Sequence, residues 1–180
     1  MKFPDVGGGR GSNGGADSGL FIKMKDGDKI TGIFRGEPKI FKVHWVAGRS
    51  SLCTYDGCAL CDQAQTNEKL KAKFRFQLNF ITKADGVWLA KIYEGSYQTY
   101  KELKELHESD YNLEETAVSI KRNGEGTDTR YAIMPIKNNG GLKPADLKAI
   151  ASIPLNPLKG DDNQAGGAPS SDANEEDIPF

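Results

Sequence analysis

Lys73-Phe74-Arg75-Phe76-Gln77-Leu78-Asn79-Phe80-Ile81 alternates apolar and polar side chains without a break. In an extended chain successive side chains point to opposite faces. Phe74, Phe76, Leu78 and Phe80 therefore share one face, and Lys73, Arg75, Gln77 and Asn79 the other. Such a strand has one face in a core and one toward solvent. Phe74, Phe76 and Phe80 read as filling for a small barrel before they read as platforms for a ligand. Asp85-Gly86 is a two-residue hairpin turn, and Val87-Trp88-Leu89-Ala90-Lys91-Ile92-Tyr93 returns from it.

Working outward, residues 20–24, 29–35 and 39–46 read as strands. Asp26-Gly27-Asp28 turns the first into the second, Gly32 marks a bulge or bend, and Glu37-Pro38 breaks the second from the third. Residues 62–71 suit a short helix. A longer helix is expected over 96–108, with Ser96 as its N-cap and Tyr97, Tyr100, Leu103, Leu106 and His107 at helical spacing. Residues 116–122 and 129–136 are strands around the Asn123-Gly124-Glu125-Gly126 turn, and Pro144 opens a last helix ending near Ser152. These elements predict a mainly β fold, a small antiparallel barrel of the oligonucleotide-binding type with an inserted helix. The expected boundaries are a flexible Gly-rich arm over 1–19, one domain over 20–153 and a disordered linker with an acidic tail over 154–180.

The formal net charge is −1, but it is unevenly spread. Six of the 25 acids lie in residues 161–180, which hold no Lys or Arg. Residues 1–160 then carry 24 bases against 19 acids, a net of +5. A mildly basic body with an acidic tail favours a polyanionic ligand held at salt-sensitive strength. No membrane-length apolar run and no charged-then-apolar leader is visible, so a cytoplasmic protein is expected.

Three cysteines fall within nine positions, too few and too clustered for a secreted disulfide scaffold. His44, Cys53, Cys58 and Cys61 offer the four ligands of a closed structural zinc site, and Cys58-Ala59-Leu60-Cys61 has knuckle spacing. A zinc loop over 44–61 would take its folding energy from the ion. His107, Asp56 or Asp62 could supply the fourth ligand in place of His44, and the three cysteines could instead be unrelated buried thiols. A thioredoxin-like redox pair lacks its βαβ setting, and a zinc deaminase lacks His-x-Glu and Pro-Cys-x-x-Cys.

Single strands are held by cations for phosphates and by flat groups for stacked bases. The candidates are Trp45, Lys73, Arg75, Trp88, Lys91, Tyr93, Lys121, Arg122, Arg130 and Tyr131; Trp88 and Tyr131 could equally be core. Gly7-Gly8-Gly9-Arg10-Gly11-Ser12 lacks the Gly-Lys-Ser/Thr of a phosphate loop. No catalytic constellation stands out, and a non-enzymatic protein is expected. The chain ends in Glu175-Glu176-Asp177-Ile178-Pro179-Phe180, an acidic run with an apolar hook. It can mimic a polyanion in the body's own basic groove, or seat in a partner's pocket.

Three stretches resemble phage single-stranded DNA-binding proteins. Residues 32–38 through His44-Trp45 to the cysteine loop are similar to the zinc-bearing region of helix-destabilising proteins. Residues 121–131 are similar to a basic, glycine-punctuated hairpin of that group. Asp177-Ile178-Pro179-Phe180 resembles the tail tip of the bacterial branch. The resemblance implies an oligonucleotide-binding fold and sequence-independent cover of single strands in phage replication, recombination and repair, within the host bacterial cytoplasm. It also implies recruitment of replication and recombination proteins by the tail, and gives Lys121, Arg122, Arg130 and Tyr131 backbone and stacking roles. Loop and tail resemble different branches, so no oligomeric state carries over. A zinc-containing adaptor of a replication complex and a single-strand annealing protein are the rival readings.

Overall fold

A computed structural model describes residues 1–2, 19–109 and 111–159. The arm from residue 3 to 18 and the tail from 160 to 180, with its partner-binding residues, lie outside the described residues. Six strands form one antiparallel sheet: β1 (Lys29–Val46), β2 (Arg49–Leu52), β3 (Lys73–Ala84), β4 (Val87–Ser96), β5 (Val118–Asn123) and β6 (Arg130–Pro135). The order is β4-β3-β1-β5-β6, with β2 paired to the far end of β1. Among the described residues three α-helices accompany them: α1 (Ala59–Ala64) between β2 and β3, α2 (Tyr97–Glu108) between β4 and β5, and α3 (Pro144–Ala151) after β6. No helix among the described residues is long and apolar enough to cross a membrane.

The alternating stretch is β3, in the middle of the fold. Phe76, Leu78 and Phe80 are fully buried and meet Phe34 of β1, Tyr93 of β4, Val118 and Ile120 of β5, and Tyr100 and Leu103 of α2. Ser96 caps α2 as expected, its Oγ accepting from the Thr99 N–H. Tyr93 on one outer strand and Tyr131 on the other meet edge to face, with ring centroids 6.0 Å apart. The sheet is therefore curled until its two edges touch through side chains. Among the described residues no backbone pairing joins β4 to β6, so the sheet is open where a small barrel was expected.

Glu37-Pro38 does not break the chain into two strands. β1 runs for 18 residues, and the irregularity is taken up as a register shift against β3 between Arg35 and Lys39. Pro38 has no N–H to give a ladder, and a bulge is where such a residue is tolerated. Gly36 supplies a left-handed φ of 78° there, and its N–H donates to Glu114. The first half of β1 pairs with β5 and the second with β2, while β3 follows both halves. Gly32 sits where β1 is paired on both sides, and a Cβ there would lie 2.1 Å from the Ile81 carbonyl oxygen.

Residues 20–24, expected as a strand, make only one parallel bridge, Phe21 to Ile92. The chain cannot stay on that edge, because Met24 turns into the core and the Gly27 N–H reaches the Arg122 carbonyl on β5.

The second face of β3, expected to meet solvent, is buried over Gln77, Asn79 and Ile81. Ile33, Ile81 and Ile150 form a second core under α3. Beyond α3 the chain crosses this face, held by amides that act as substitute backbone. Asn79 donates to the Asn156 carbonyl at 3.0 Å and accepts from the Asn156 N–H at 2.9 Å. Gln77 accepts from the Lys159 N–H at 3.0 Å. Arg35 donates to the Ile150 and Ile153 carbonyls. Residues 154–159, expected to be disordered linker, thus belong to the packed body, because Gln77 and Asn79 satisfy a chain segment in place of water.

Candidate metal centre and candidate nucleic-acid interface

The β1–β2 hairpin turns at Ala47-Gly48, both left-handed, and brings Cys53 back beside β1. The Cys53 N–H donates to the Lys42 carbonyl, which fixes the return. Tyr55 and Gly57, also left-handed, reverse the chain again and set Cys58 as the N-cap of α1. Cys61 follows in the first turn. The ligand atoms of His44, Cys53, Cys58 and Cys61 all lie within 4.8 Å of one another. His44 Nε2 is 3.4 Å from Cys58 Sγ and 3.5 Å from Cys61 Sγ; Cys53 Sγ is 3.5 Å from Cys61 Sγ.

These spacings fit an ion and not a disulfide, whose sulfurs would be about 2.05 Å apart. A tetrahedral ion with bonds of about 2.3 Å to sulfur and 2.0 Å to nitrogen spaces its ligands about 3.5–3.8 Å apart. The His44 Nδ1–H donates to the Leu70 carbonyl at 2.5 Å, which leaves Nε2 with its lone pair toward the sulfurs. Burial pushes the Cys58 thiol up, but N–H groups of Thr54, Cys61 and Leu60 and the Thr54 hydroxyl bring it down to about 6. Burial and the sulfurs of Cys53 and Cys58 push Cys61 up to about 12. Three thiolates together need a cation, and the donor set could hold a metal ion. His107 lies on α2, with its Nδ1 3.2 Å from the Tyr111 carbonyl oxygen, and is not part of the cluster. Asp56 and Asp62 are exposed and do not join it either, so the fourth donor is His44.

The nucleic-acid candidates divide by face, because residues paired across antiparallel strands share one. Tyr93 pairs with Leu78 and is 2% exposed; burial holds its hydroxyl well above its ordinary pKa. Its ring offers no face to a base. Tyr131 is half-buried against it, paired with Arg122. Arg122 turns inward, donating to the Met24 carbonyl and to Thr129 Oγ1. It braces the crossing segment and is committed before any phosphate arrives. Lys91, paired with Phe80, donates to the Gly19 carbonyl.

The other candidates share the outer face. Trp88 pairs with Lys83, and the Lys83 ammonium lies 5.4 Å from the indole centroid. Continuing across the sheet, Lys29 pairs with Lys121 on the same face, and Arg130 lies one step further along β6. Among the described residues none of Lys29, Lys83, Lys121 and Arg130 has an ion-pair partner. Arg75, half-buried, and Lys73, exposed, lie on the same face at the metal end. Trp45, 43% exposed, projects from the β1–β2 hairpin there. The packed segment 150–159 lies between the two groups.

The sequence reading missed Lys29 and Lys83. Lys83 was recoverable, since the two-residue turn at Asp85-Gly86 forces it opposite Trp88. Lys29 was not, because its neighbour Lys121 is set by a long-range pairing. No protein-family model matches the chain, and neither the curated proteins nor the solved structures give a match.

Proposed function

We propose that this chain is a non-enzymatic, sequence-independent single-stranded DNA-binding protein of the phage type, with an open, oligonucleotide-binding-like barrel. The observation that carries the reading is the row Trp88–Lys83–Lys29–Lys121–Arg130 on one face. The row crosses from β4 to β6, about 19 Å of arc at about 4.8 Å per strand. Phosphates would lie on the cations and bases on the aromatic surface, which gives affinity without reading sequence. The metal is Zn2+ in a purely structural role: three sulfurs and one imidazole leave no open coordination position. The acidic tail, by its chemistry, competes with DNA for the basic row and recruits replication and recombination proteins when released.

A second reading has its own support. Trp45 and Val46 are both exposed at the tip of the metal-pinned hairpin, where an adaptor could take a protein partner. Joint replacement of Lys121 and Arg130 by Ala separates the two. The DNA reading expects the salt dependence of binding to fall by about two charges, with affinity for oligo-dT dropping at least tenfold at low salt. Unchanged affinity supports the adaptor.

A further inference from the structure

Beside Trp88 the outer face dips into a groove of about 480 Å3, a size that holds small ligands. It is lined by Lys29, Thr31, Lys83 and Trp88 from the sheet and by Gly140 and Gly141 from the chain after β6. That chain is unusual. Asn138, Asn139, Gly140 and Gly141 are four successive left-handed residues, with φ of 52°, 51°, 62° and 78°. Left-handed backbone is unfavourable for residues with a Cβ, and a run of it persists only where its surroundings impose it. The imposing contacts come from Asn139, whose amide donates to the Glu115 carbonyl at 2.7 Å and accepts from the Ala117 N–H. The result is a stretch of groove wall made of two residues without side chains. The groove's one carboxylate, Asp146, accepts from the Lys143 N–H at the start of α3; two cations, Lys29 and Lys83, against this one acid leave the lining at a formal +1.

We infer that this groove takes one unstacked nucleobase of the bound strand, laid on the Trp88 indole beside the Gly140–Gly141 backbone. Lys83 is its placeholder. In the free protein its ammonium covers the ring face; on binding it leaves the ring for a phosphate, with Lys29 holding the next. The inference rests on the single-strand reading and adds where a base is held. Flat aromatic surface, adjacent cations and backbone able to approach closely are the features that a base with its phosphate requires.

The full chain with Trp45→Phe keeps Trp88 as its only tryptophan. Labelled oligo-dT is titrated while DNA anisotropy and tryptophan emission are recorded together. Emission should be quenched with the same midpoint as the anisotropy change, and an abasic oligomer of equal length should bind without the quench. Trp88→Ala should weaken oligo-dT binding about tenfold with metal content unchanged, since the metal centre lies at the other end of β1. Lys83→Met should lower the salt slope by about one charge yet keep the quench. Anisotropy change with silent emission overturns the base site and leaves single-strand binding standing. An abasic oligomer that quenches equally overturns it too. Absence of binding in both channels removes the functional reading on which the site rests.

Discussion

The two ends of β1 are ordered by different means. At its far end the β1–β2 hairpin and α1 have little core of their own: β2 is largely exposed and α1 buries no residue. What gathers them is the His44–Cys53–Cys58–Cys61 cluster. At its near end β1 lies between β3 and β5, with Ile30 and Phe34 toward the main core and Ile33 under α3. One end is a clip gathered by a cluster that could hold a metal ion, the other a packed sheet that presents cations. On the proposed reading, binding and metal-dependent stability are therefore separable.

The largest effect that could break this contrast is metal removal. About one zinc per chain is expected by elemental analysis, lost on Cys58→Ser. Because a structural zinc ion contributes folding energy of the order of 10 kcal/mol, chelation should abolish hydrogen-exchange protection over residues 44–70. Protection in β3 and β5 should persist. A metal-free native protein, or global unfolding on chelation, contradicts the contrast. Next in size is the Asn79–Asn156 clamp. Asn79→Ala leaves the half-buried Asn156 N–H and carbonyl without their amide partner, a cost of about 1–3 kcal/mol. A thermal midpoint lowered by several degrees with metal content intact is the expected result. The smallest effect is Trp45→Ala, which should change oligo-dT affinity by less than about twofold if stacking energy of about 1–3 kcal/mol per base is drawn from Trp88. A loss equal to that of Trp88→Ala would move the interface to the metal end.

How much of this was readable follows physical lines. Local signals were legible: the alternation over 73–81, the Asp85-Gly86 turn, the Ser96 cap and the close spacing of three cysteines with His44. Tyr93, expected to contact nucleic acid, was recoverable as core, since the same two-residue turn sets it opposite Leu78 and thus inward. The inward turn of Arg122 was not, because it depends on the Met24 carbonyl, 98 residues earlier in the chain. The ordering of 154–159 was hidden for a similar reason: Gln77 and Asn79 look like solvent-facing residues until a segment needing hydrogen bonds arrives. The Pro38 bulge shows that a strand breaker on a bent strand can redirect pairing without ending it.

The central claim, that the cation row with Trp88 holds single strands, is tested most directly by comparing oligo-dT with a duplex of equal length across a series of salt concentrations. The account predicts tighter binding to the single strand throughout, with log affinity falling linearly in log salt at a slope of about −3, set by four cations. Equal affinity for the two forms, or affinity indifferent to salt, would contradict it.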